Sequence, residues 1–103
     1  MNQDTDDWDR RTHRMSVLAD YLSTSYLPSA WATREPRNAN ALVLHAWTRL
    51  VQGRSQGHLE DAAKVTESCF RAAELAPEDP APWVVLLGVS RLELWKQQQV
   101  FAV

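Results

Sequence analysis

The chain is predicted to be all-α, on three observations. Apolar side chains recur at steps of three and four along most of its length. No segment alternates apolar and polar residues strictly between turn dipeptides, so no strand is expected. Its prolines fall between the periodic stretches or at their starts, where helices tolerate them. With 103 residues, 45% of them apolar and 23% charged, the sequence has the length and composition of one globular domain over residues 1–103. Four helices are expected, stacked as antiparallel hairpins.

The first is expected within residues 1–27. Trp8, Met15, Leu18, Leu22 and Tyr26 fall on one helical face. Asp4 or Thr5 serves as N-cap, and Asp6 and Asp7 lie in the first turn, where carboxylates favour the helix dipole. Pro28 disfavours helical geometry at Leu27 and ends the element. Residues 28–37, with two prolines around Trp31, read as a linker that pins one aromatic side chain.

A second helix opens at Asn38 or Asn40 and carries Ala39, Leu42, Val43, Ala46, Trp47, Leu50 and Val51 on one face as far as Gly53. Residues 52–57 hold two glycines and no apolar side chain, so the chain turns there. Apolar periodicity resumes at Leu59 and runs through Ala62, Ala63, Thr66, Cys69, Phe70 and Ala73 to Pro77; a turn this short implies antiparallel packing of the two helices. Asp79, followed by Pro80 and Pro82, caps a fourth helix with Trp83, Leu87, Ser90, Leu94 and Phe101 along one face. Small Ala62, Ala63, Ala72 and Ala73 allow close helix approach, and Trp47, Phe70 and Trp83 are expected to fill the space where three helices meet.

The stretch from Ala72 to Leu86 resembles the junction between two tetratricopeptide repeats. Ala72 stands for the small residue of the closing helix, Leu75 for the apolar one and Pro77 for the helix-ending proline. Trp83 stands for the aromatic that opens the next repeat and Leu86 for its leucine; Leu87 takes the place of the usual glycine, with Gly88 one position later. The resemblance covers roughly residues 38–95 and implies a fragment of a right-handed superhelix of helical hairpins whose work is to hold another protein or peptide. Such arrays need about three units for stability. The apolar edge Val100-Phe101-Ala102-Val103 therefore calls for a cover: further repeats, a second copy docked on the C-terminal helix as a homodimer, or a different protein.

Composition and motifs exclude several classes of function. A net charge of −2 and a pI near 5.8 leave no electrostatic footprint for nucleic acid. The longest apolar runs, Val84–Leu87 and Ala41–Leu44, are far below the ~20 residues of a membrane span. The acidic N-terminus is not a secretory signal, and a lone Cys69 suits a reducing compartment, so the expected location is cytoplasmic. His13, His45 and His58 sit on separate elements without zinc-ligand spacing, and the run of Asp4, Asp6, Asp7 and Asp9 lacks the glycine and distal glutamate of a calcium loop. Cys69 falls late in a helix on its packed side, where a buried structural thiol is expected. No metal, cofactor or catalytic residue is assigned. Of five tryptophans, Trp8, Trp31 and Trp95 fall outside the clearest core stripes and remain as candidate anchors, since tryptophan is enriched at binding hot spots. Trp8 and Trp31 are expected to close over the core. Trp95, ahead of Lys96-Gln97-Gln98-Gln99, is the candidate partner-binding residue, joined by Arg91, His45 and Arg49. The expected function is non-enzymatic protein–protein interaction as an adaptor or scaffold module. The alternative is a helical accessory or regulatory domain of a larger multidomain enzyme whose active site lies beyond Val103.

Overall fold

A computed structural model describes the backbone of residues 3–57, 59 and 61–101 and the side chains of 9–57, 59 and 61–94. Among the described residues the chain is all-helical, with α1 at Gln3–Tyr21, α2 at Leu27–Arg34, α3 at Ala39–Gln56, α4 at Ala62–Leu75 and α5 at Ala81–Phe101. This is one helix more than expected, and the difference originates at a proline.

Pro28 does not end the first helix; it begins the second. α1 stops at Tyr21, where Ser23, Thr24 and Ser25 offer hydroxyls that compete with the helical ladder. The Leu27 N–H donates to Ser25 Oγ at 3.1 Å, and Pro28 then sits in the first turn of α2, where its missing N–H costs no hydrogen bond. The segment expected to be a linker over 28–37 is therefore helical through Arg34, and the true connection is Glu35–Asn38. α2 buries Pro28 and Ala32, one turn apart, and half-buries Trp31, whose indole N–H donates to Glu35 Oε2. Pro36 holds Glu35 out of helical geometry and ends the element.

On α1 the inward residues are Met15 and Ala19, continued by the half-buried Leu22 just past the helix end. Leu18, expected on the packed face, is exposed, because the small Ala19 lets α1 approach α3 along the neighbouring row, and Tyr26, expected on the same helix, lies past its end at the start of α2 and is exposed. Asp4 and Thr5 lie inside α1 rather than at its cap, and the side chain of Trp8 is outside the described residues.

α3 is the centre of the fold and packs against α1, α2, α4 and α5. Asn38 caps it, its Oδ1 accepting from the N–H groups of Asn40 at 3.0 Å and Ala41 at 3.3 Å. With neighbours on most sides, α3 buries Ala41, Leu42, Val43, Leu44, Ala46, Trp47, Thr48 and Leu50 and leaves His45, Arg49 and Gln52 half-buried. Gly53 is buried inside the helix instead of ending it; the terminator is Gly57, whose φ of 81° is the left-handed geometry that glycine adopts freely.

α4 buries Val65, Cys69 and Ala72, a single row at steps of four and three. Of the four alanines expected at the helix contact, Ala72 is fully buried and Ala63 is exposed. Asp79, only 1% exposed, ties α5 to α1. Its Oδ1 accepts from the Ala81 N–H at 2.9 Å and caps α5, while its Oδ2 accepts from Arg11 Nη2 of α1 at 3.3 Å.

α5 turns the face opposite to the expected one toward the core. Ala81, Val85, Val89 and Leu92 are buried, whereas Trp83, Leu87, Ser90 and Leu94 point outward. Gly88 decides the orientation. A Cβ at this position would stand 2.4 Å from Leu50 Cδ2, so any larger residue would force the buried Leu50 side chain to shift for α5 to stay this close to α3. Phe70 and Trp83, expected in the core with Trp47, lie outside it and meet edge to face with ring centroids 6.1 Å apart. Phe101 is helical in its backbone, but its side chain, like the rest of the C-terminal apolar edge, is outside the described residues.

Candidate functional site

The outward face of α5 is a continuous stripe. Trp83, Val84, Leu87, Ser90, Arg91 and Leu94 follow one another at the spacing that keeps residues on one side of a helix, and every one is exposed. Trp83 is 48%, Leu87 60% and Leu94 59% exposed. Phe70, 49% exposed on α4, widens the stripe through its ring contact with Trp83. At about 100 Å² for each half-exposed large side chain, the five apolar members leave on the order of 500 Å² of apolar surface in water, near the upper end of what soluble monomers carry. An isolated exposed leucine needs no explanation, but a contiguous patch of this size does.

Of the four residues singled out in the sequence, two lie on this helix. Arg91 stands in the stripe between Leu87 and Leu94. Trp95 is helical in its backbone, one position beyond Leu94, and its side chain is outside the described residues. The other two lie elsewhere. His45 and Arg49, one turn apart on α3, line a cavity of about 50 Å³ with Asp61, Lys64, Val65 and Ser68 at the contact with α4. Burial lowers the His45 pKa below its usual 6.5, with a smaller contribution from the Arg49 charge, so its imidazole is neutral at neutral pH. The structure thus places Arg91 on the outward face of α5 and His45 and Arg49 in a small polar niche between α3 and α4.

Two further hollows involve the segment 28–37 that was expected to be a linker. One, of about 440 Å³, lies between the connection after α1, α2 and α3 and is lined by Leu22, Tyr26, Leu27, Trp31, Arg34 and Leu44 among others. The other, of about 450 Å³, is formed by Pro36, Arg37, Arg71, Glu74 and Leu75. The first exists because α2 is a helix. The sequence signal that identifies it is Ser25 two residues ahead of Leu27-Pro28, a helix start rather than a stop.

Cys69 is buried, and the loss of hydration pushes its thiol pKa up to about 12. The group stays protonated and acts as a small apolar filler. Among the described residues, no three His, Cys, Asp or Glu side chains are grouped as a metal site would require. Among the same residues, no helix is long and apolar enough to cross a membrane. Comparison with protein-family models, with curated proteins and with solved structures finds no match for this chain.

Proposed function

We propose that the chain is a non-enzymatic protein–protein interaction module whose binding surface is the outer face of α5. One observation carries the reading: a stripe of large apolar side chains at helical spacing is left in water, although the same helix has a complete second face for the core. Burying such a stripe against a partner releases apolar surface from water at about 25 cal/mol per Å², and its half-exposed tryptophan belongs to the residue type most enriched at hot spots. Arg91 is the charged partner-binding member within the stripe, and Trp95, one position beyond Leu94 along the helix, is assigned the same role from the sequence alone. His45 and Arg49 form a separate polar contact site.

A tetratricopeptide-like arrangement of hairpins is part of the same proposal. Its support is the Ala72–Leu86 motif together with the mutual packing of α3 with α4, α4 with α5, and α3 with α5. In that arrangement the α5 face is where a following element or a partner stacks.

The test is the Leu87→Glu variant, which places a carboxylate in the middle of the stripe without touching the core. Proteins captured by the immobilised wild-type chain and lost from the variant, at unchanged helical circular dichroism, support the reading. Identical capture by both chains refutes it. Loss of a central hot-spot contact weakens binding by roughly 30-fold or more.

A further inference from the structure

We infer that the α5 stripe is self-complementary and pairs with the α5 stripe of a second copy, antiparallel, about a two-fold axis passing beside Leu87. The inference rests on the reading of this face as an interaction surface and names its occupant. The order of residues along the helix carries it. In an antiparallel pair centred on Leu87, residues equally far before and after it face each other across the axis. Trp83 and Arg91 each lie four positions from Leu87, and Val84 and Ser90 each lie three. Each Arg91 guanidinium therefore meets the indole of Trp83 on the other copy, a cation on an aromatic face, at both ends of the contact. Leu87 packs on Leu87, and Leu94 reaches the N-terminal end of the opposite α5, where Phe70 and Trp83 make a broad apolar floor.

Charge and area both favour this arrangement. A parallel pairing in register would bring Arg91 against Arg91, whereas the antiparallel one separates the two cations and gives each an aromatic partner. Isologous contact about a two-fold axis is also the commonest way for a soluble chain to cover such a face. The apolar members of the stripe with Ser90 and Arg91 amount to about 600 Å² on each copy, which reaches the lower end of stable interfaces at about 1,200 Å² in total.

The test uses the full 103-residue chain. Light scattering over about 1 to 100 μM is expected to show the mass rising from 11.7 kDa to twice that value. Leu87→Glu, which sets two carboxylates on the axis, is expected to raise the dissociation constant by about 100-fold at unchanged helicity, and Arg91→Ala by about tenfold. Because Cys69 is buried, a cysteine placed on the stripe is the accessible thiol. Leu87→Cys is expected to give a disulfide-linked dimer under mild oxidation. Leu94→Cys is not, because its two copies would stand about 20 Å apart along the paired helices at 1.5 Å per residue. Equal cross-linking at both positions, open-ended growth beyond a dimer, or a wild-type chain that stays monomeric overturns the inference. In the monomeric case an apolar dye separates the two claims. Dye bound by the wild type and lost in Leu87→Glu leaves the interaction surface standing for a different partner, and no dye bound by either removes both.

Discussion

Replacing Gly88 with alanine tests the packing that turns the α5 stripe outward. The added Cβ would lie 2.4 Å from Leu50 Cδ2, 3.0 Å from Arg54 Nη2 and 3.4 Å from Leu50 Cγ. Carbon atoms pack best at about 3.5–4.0 Å, so the overlap with Leu50 exceeds 1 Å. Arg54 can swing aside into solvent. Leu50 cannot, because it is 1% exposed and enclosed by the core of α3. Overpacking of this kind costs up to about 3 kcal/mol. Alanine returns about 1 kcal/mol of helix propensity relative to glycine. The balance is a loss of about 2 kcal/mol, which for a domain of this size lowers Tm by roughly 10 °C. Urea and thermal unfolding followed by circular dichroism measure it, with Ser90→Ala on the exposed side of the same helix as a near-neutral control. A Gly88→Ala protein as stable as the wild type, or about 1 kcal/mol more stable, would show that α5 does not approach α3 at this position and would remove the reason for the orientation of the stripe.

Three further outcomes follow from the same structure. Asp79→Ala removes the cap of α5 and the acceptor of Arg11 together and is expected to cost about 2–3 kcal/mol in urea unfolding; Arg11→Ala costs less, since its side chain is partly in water. The Cys69 thiol, raised from 9.0 to about 12 by burial, keeps its proton in the folded chain after the unfolded chain has lost it. Its contribution to stability is therefore complete below pH 9 and lost progressively toward pH 12, and native Cys69 should react with iodoacetamide only at the rate of unfolding. His45, lowered from 6.5, favours the folded state above that pH and disfavours it as the solution is acidified below 6.5. Arg49→Gln should raise its NMR-measured pKa only partway back to 6.5, because burial is the larger cause; full recovery would contradict that assignment.

The helical character of the chain was legible because it rests on local periodicity, and so were the caps at Asn38 and Asp79, where one side chain decides the geometry; the end of α3 was placed at Gly53 instead of Gly57, since two glycines four residues apart offer the same signal. What misled was the choice among neighbouring helical rows. On α4 the row Val65, Cys69 and Ala72 competes with a row through Phe70, and on α5 the row Val85, Val89 and Leu92 competes with one through Trp83, Leu87 and Leu94. Both faces of α5 are apolar, so periodicity cannot say which is inside. Steric room says it: Ala81 and Gly88 mark the side on which a neighbouring backbone comes close. Pro28 misled for a related reason, since a proline that forbids a helix behind it also starts one. At the candidate site, the exposure of Arg91 on the last helix was legible. The stripe around it was hidden because large apolar residues at helical spacing look the same whether they face a core or a partner.

The most direct measurement of the central claim is a series of amide correlation spectra of the isotope-labelled chain across increasing concentration. The expected result is concentration-dependent movement or broadening of the amides of Trp83, Val84, Leu87, Ser90, Arg91 and Leu94, with those of Phe70 and its neighbours on α4, while His45, Arg49 and Ser68 stay fixed. Changes centred on the His45 and Arg49 niche, with α5 unmoved, would contradict the assignment of the interaction surface to the outer face of α5.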